Sequence, residues 1–167
     1  MDLTMFWKII WDARAAARDD EAFLETIRSR LCLLSPEELI GFQNHFDEAL
    51  KQSYSWRLWG AAYLMCGGCG DDCFDYLRAW LITQGRETFE MVLRDPDALV
   101  TLTVPDDKLE AFMYYAHDAY EEMTGEEMPT SVVVQGSPPR IDQDWNFSND
   151  AEMKRRYPKL FAKYRNT

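Results

Sequence analysis

Apolar residues recur every three to four positions through most of the first hundred residues, which is the spacing of an amphipathic helix. Residues 4–18 carry Phe6, Ile10, Ala13 and Ala17 on one stripe, with Trp7 and Trp11 beside it. Asp20 is placed to cap a second helix holding Phe23, Ile27, Leu31 and Leu34. Ser35-Pro36-Glu37-Glu38 is a strong start signal: Ser35 as cap, Pro36 at the first helical position and Glu38 three residues on as a capping box. Leu39, Phe42, Phe46 and Leu50 then form the inner face of a third helix. A fourth is predicted over 53–65, with Tyr54, Leu58, Ala61, Ala62 and Met65 on one side.

Gly67-Gly68-Cys69-Gly70 ends that helix, and Asp71 or Asp72 is expected to cap the next, which buries Phe74, Leu77, Trp80 and Leu81. Gly85 is placed as its left-handed stop. A short helix over 86–94 leads to the turn Asp95-Pro96-Asp97. Asp106 is expected to cap a helix carrying Leu109, Phe112, Met113, Ala116, Tyr120 and Met123, stopped by Gly125. From 128 to 149 the pattern breaks down into prolines, Gly136 and one β-branched run, Val132-Val133-Val134, predicting an irregular connector that Trp145 and Phe147 pin to the body. A short helical end from Asp150 is interrupted at Pro158. The fold expected is all-α: a compact single-domain bundle of six to eight helices over 1–127, with an irregular C-terminal arm over 128–167 packed on it.

Composition narrows the class of function. The 167 residues hold 18 basic and 29 acidic side chains, a formal charge of −11, with 47% hydrophobic residues. That apolar content is enough for a real core. The charge opposes nucleic-acid binding by phosphate neutralisation and docking on an anionic membrane. No apolar run reaches the roughly 18 residues of a membrane span, and a signal peptide is not evident, so a cytoplasmic location is expected. The charge is uneven: residues 106–128 hold eight acidic and one basic residue, net −7, whereas 129–167 are net +3. Either the basic tail folds back on a solvated acidic helix, or an acidic patch attracts a basic partner protein.

Residues 54–97 hold most of the unusual chemistry. Leu58-Trp59, Ala61-Ala62-Tyr63, Gly67-Gly68 followed by Asp71-Asp72 and Phe74, Arg78, Trp80-Leu81-Ile82, Gly85-Arg86 and Asp95-Pro96-Asp97 occur in order. With Phe6-Trp7, this set resembles the bacterial domain-of-unknown-function 4240 family, and the likeness extends more loosely over residues 1–125. Ala79 stands where that family usually has glycine, and Cys66 and Cys73 are not part of its pattern. The resemblance implies no established activity.

The residues therefore have to be weighed by their chemistry. Asp71, Asp72, Asp75, Arg78, Trp80, Gln84 and Arg86 form the candidate ligand site, gathered around one glycine turn, where a small polar ligand or a divalent ion could sit. The competing reading makes Asp71 or Asp72 a cap and Asp75–Arg78 a surface ion pair. Cys66, Cys69 and Cys73 give a C-x2-C-x3-C run, but zinc ordinarily takes four ligands and Cys32, His45 and His117 are far away in sequence. No metal is favoured on that count and no cofactor is predicted. His45 and His117 read as helix-surface or boundary residues, and Trp56, Trp59, Tyr63 and Trp80 as core. Two functions follow. The first is a non-catalytic interaction or regulatory protein, an immunity-type protein being one such class. The second is a small enzyme or ligand-binding domain around Asp71, Asp72, Arg78 and Arg86.

Overall fold

A computed structural model describes residues 1–103, 110–133 and 143–165. Within them the chain is all-α, with no strand among the described residues. The helices are α1 (Leu3–Ala16), α2 (Asp20–Leu31), α3 (Pro36–Ser53), α4 (Trp56–Cys66), α5 (Asp71–Thr83), α6 (Arg86–Arg94), α7 (Tyr115–Thr124), α8 (Asp150–Arg156) and α9 (Pro158–Tyr164). Two 3-10 turns, Pro96–Thr101 and Glu110–Met113, complete the order.

Side-chain caps set most of the helix starts. Ser35 accepts from the Glu38 amide while Glu38 returns a bond to the Ser35 amide, the expected capping box. Ser55 caps α4 through the Leu58 amide. Asp19, not Asp20, caps α2 by accepting from Ala22, because Asp20 is already held by the Arg14 guanidinium at 2.6 Å. The start of α5 also departs from expectation. Gly70 is its N-cap without a side-chain bond, and Asp71 and Asp72 fall inside the first turn. Gly85 has a positive φ of 87°, yet its extended ψ makes it the entry to α6 rather than a helical stop.

Phe6, Ile10, Phe23, Ile27, Leu31, Leu39, Phe42, Phe74, Leu81 and Phe89 are almost wholly withdrawn from solvent and form one continuous core. Phe112 meets Phe42 and Phe46 edge-on, so the 3-10 turn at Glu110–Met113 closes the body over α3. The single helix expected from Asp106 to Met123 is divided there: a 3-10 turn comes first, and α7 starts only at Tyr115. Asp106 and Leu109 lie outside the described residues, as does Val134. α7 ends at Gly125 in the left-handed conformation, as expected. Arg14 ties three helices together, donating to Thr83 O and Thr83 Oγ1, pairing with Asp20 and lying 4.0 Å above the Phe23 ring.

The described part of 128–149 is irregular, and its aromatics pin it as expected. Phe147 stacks on Trp56 at 4.5 Å, and the Trp56 indole donates to Trp145 O. α9 packs on α4 and on the Pro96–Thr101 turn, and α8 packs on α9. The basic C-terminal segment therefore docks mainly away from α7, which packs on α2 and α3. No described helix is long and apolar enough to cross a membrane.

Candidate functional site

The seven residues predicted to share a ligand site do not converge. α5 spans 13 residues, so with a rise of 1.5 Å per residue its ends stand about 18 Å apart. Asp71 and Asp72 are exposed at its start, whereas Gln84 and Arg86 lie at and beyond its end. Gln84 donates to Thr83 Oγ1 at 2.9 Å, and Arg86 pairs with Glu90 at 2.7 Å. Trp80 is buried in the core. Arg86 instead lines a shallow groove of about 140 Å³ with Trp7, His45, Glu48, Gln52 and Glu90. That volume is well below the roughly 300 Å³ at which ordinary ligand pockets begin.

Arg78 has a structural post. Its side chain is buried, donates from Nη1 to Leu50 O at 2.6 Å and from Nη2 to Asp75 Oδ1, and lies 4.9 Å from both the Tyr54 and Phe74 rings. It joins the end of α3 to α5, with the Asp75 carboxylate neutralising it from the solvent side. The Asp75–Arg78 pair is thus present, but with a buried arginine rather than a surface one.

The glycine turn behaves differently from the polar set. Gly67 takes φ 65° and Gly68 φ 129°, and both amides return to Tyr63 O, so the chain reverses sharply after α4. The Trp59 indole donates to Cys69 O at 2.9 Å, and its ring stacks on Phe74 at 4.7 Å with 13° between planes. These contacts hold Cys69 between the end of α4 and the first turn of α5. As a result the Sγ atoms of Cys66, Cys69 and Cys73 all lie within 4.8 Å of one another, with Cys69 and Cys73 at 3.0 Å. Hydrogen bonding from Cys69 pulls the Cys66 thiol down to about 6, while the same contact, with burial, pushes Cys69 up. His45 Nε2 lies 3.1 Å from Met1 O, and neither it nor His117 joins the sulfur group. The three sulfurs are thus brought together, whereas Asp71, Asp72, Gln84 and Arg86 are not.

A second surface stands out on α7. Asp118, Glu121 and Glu122 fall at helical spacings of three and four, and Glu126 and Glu127 follow just past the end. All five are exposed, with Tyr114 and Met123 uncovered alongside. Among the described residues only Glu122 of this set has an ion-pair partner, Arg28 at 3.4 Å with both side chains more than half exposed. The last turn contains no basic residue, so Glu121 and Glu122 meet the negative end of the helix dipole, whereas Asp118 lies in the first turn.

Neither the comparison with curated proteins nor that with solved structures yields a match. A family described as a protein of unknown function, DUF4240, matches residues 1–122, from α1 through most of α7. The match takes in the Trp59 contact, the glycine turn, Arg78 and the Asp95-Pro96-Asp97 turn. With well over half of its 167 residues matched, the chain belongs to the DUF4240 family.

Proposed function

We propose that the chain is a non-catalytic interaction protein that binds a basic protein partner through the acidic face of α7 and the turn after it. The carrying observation is the exposed acidic row Asp118, Glu121, Glu122, Glu126 and Glu127, whose last four members lie at or just past the C-terminal end of α7, where negative charge is unfavourable. A cationic partner relieves that repulsion, and Tyr114 and Met123 add apolar area beside it. Long-range attraction from a chain of net charge −11 speeds the encounter. The competing reading, a catalytic or ligand site around Asp71, Asp72, Arg78 and Arg86, is less favoured because Asp71 and Asp72 stand at the start of α5 and Arg86 at the start of α6, with Arg78 engaged by Leu50 O and Asp75.

The test is affinity capture from bacterial extract on three immobilised proteins: wild type, Glu121→Lys/Glu122→Lys/Glu126→Lys, and Asp71→Ala/Asp72→Ala. A partner held by the first and third, absent from the second and released as salt rises supports the reading. An identical captured set on all three would defeat it.

A further inference from the structure

The turn between α4 and α5 carries a feature that the acidic face of α7 does not explain. Cys66 closes α4, Cys69 occupies the turn and Cys73 lies in the first turn of α5. Their sulfurs lie within 4.8 Å of one another, those of Cys69 and Cys73 at 3.0 Å. Thiolates around an ion at the usual Zn–S distance of about 2.3 Å, in tetrahedral directions, stand about 3.8 Å apart. The Cys69–Cys73 separation is shorter than that edge and no pair exceeds it by more than about 1 Å, so small shifts would seat all three on one ion.

The turn is held in place before any ion arrives. Gly67 and Gly68 fix the reversal, and the Trp59 indole anchors Cys69 through its carbonyl. Cys73 lies in the first turn of α5, whose N-cap Gly70 offers no side chain to occupy that end. The turn is also accessible. A Cβ added at Gly67, Gly68 or Gly70 would meet nothing within 4 Å, and Cys66 is exposed. No fourth His, Cys or carboxylate among the described residues joins the group.

Soft thiolates select zinc-like and cuprous ions over hard cations, and three protein ligands leave a coordination position free. We propose that this turn is a soft-metal site in which Cys66, Cys69 and Cys73 are the three thiolate ligands of a zinc-class ion, with one position open to an outside donor. The sulfur set is particular to this chain's turn and does not depend on the charge of α7.

The test uses the reduced full chain with Zn2+ alone as the probe. After incubation with or without Zn2+, the thiols are alkylated and counted by intact mass, and bound metal is measured with a chromophoric chelator. The expected result is one equivalent of zinc with three thiols protected, while the exposed Cys32 reacts in both samples. Losing a ligand costs more than the roughly 10–100-fold that follows loss of an outer partner, so Cys69→Ser is expected to release the zinc. Cys32→Ser retains it. Cys66→Ser removes a ligand at an exposed position, and circular dichroism reports whether each variant keeps its helices. Alkylation of all four thiols at one rate with and without Zn2+ overturns the site, and so does equal zinc binding by Cys69→Ser and Cys32→Ser.

Discussion

Asp97 caps the helix that begins beside Leu160, 63 residues later in the chain. The Asp97 carboxylate accepts from the Leu160 amide at 2.9 Å and from the Lys159 amide at 3.1 Å, while α9 has no cap from its own Tyr157 side chain. Asp97 is buried, so these two amides take the place of water around its charge. Asp97→Ala is expected to lower unfolding free energy by about 2–3 kcal/mol, the scale of a charged cap lost inside the protein. Urea denaturation read by circular dichroism checks this; an unchanged midpoint would mean that α9 is capped in some other way.

Gly60 is required where α4 meets the arm. A Cβ at this position would stand 2.6 Å from Tyr157 Oη, which itself donates to Arg57 O at 2.6 Å. Gly60→Ala is therefore expected to cost about 1–3 kcal/mol by overpacking. Tyr157→Phe removes the crowding oxygen, so Gly60→Ala should cost less in that background. Additive effects in the four-protein cycle would disprove the contact.

The Arg78–Asp75 pair is predicted to be strongly asymmetric. The Asp75 side chain is 45% exposed and that of Arg78 only 9%. Asp75→Ala is expected to cost less than about 1 kcal/mol, as a screened pair does. Arg78→Ala removes packing against Tyr54 and Phe74 and leaves Leu50 O without its donor, at about 2–4 kcal/mol. Thermal melts of the two variants separate these outcomes, and equal losses would refute the assignment.

Electrostatics at the end of α7 leads to a stabilising substitution. Glu121→Lys exchanges an unfavourable charge at the helix C-terminus for a favourable one, and is expected to add about 0.5 kcal/mol. The gain should shrink in high salt. A loss of stability would show that Glu121 has a structural duty that its exposure conceals.

Acid should loosen α8 late. Hydrogen bonds from Arg155 and Arg156 hold the Glu152 carboxyl at about 2, against an ordinary 4.5. Because the folded value is the lower one, the contribution is present above pH 4.5 and disappears as pH falls through about 2. Arg156 lies 3.7 Å over the Trp145 ring, so Trp145 emission reports the change. Wild type should shift near pH 2 and Glu152→Gln should not; a wild-type midpoint at 4.5 would contradict the pairing.

How far these features were legible in the sequence depends on the distance over which they act. Ser35–Glu38 is a local code, readable because both partners lie within one turn. Asp19 and Asp20 are equally good caps on paper, and only the position of Arg14 decides between them. The cap that Asp97 gives α9 spans more than 60 residues, and no spacing rule reaches it. Asp71 and Arg86 stand at opposite ends of a helix that the spacing itself predicts, and the length of that helix separates them. The cysteines fail in the opposite way. Their spacing was visible, but their proximity depends on two left-handed glycines and one indole.

The clamp between Asp97 and α9 bears on the order in which the molecule is made. The chain emerges from the ribosome N-terminus first, so the buried carboxylate of Asp97 and the Gly60 face of α4 are synthesised long before Lys159 and Leu160 reach them. Until then the nascent chain exposes an apolar surface that it cannot cover by itself. Ribosome-bound lengths ending before residue 157 are thus the ones on which a chaperone has most to hold.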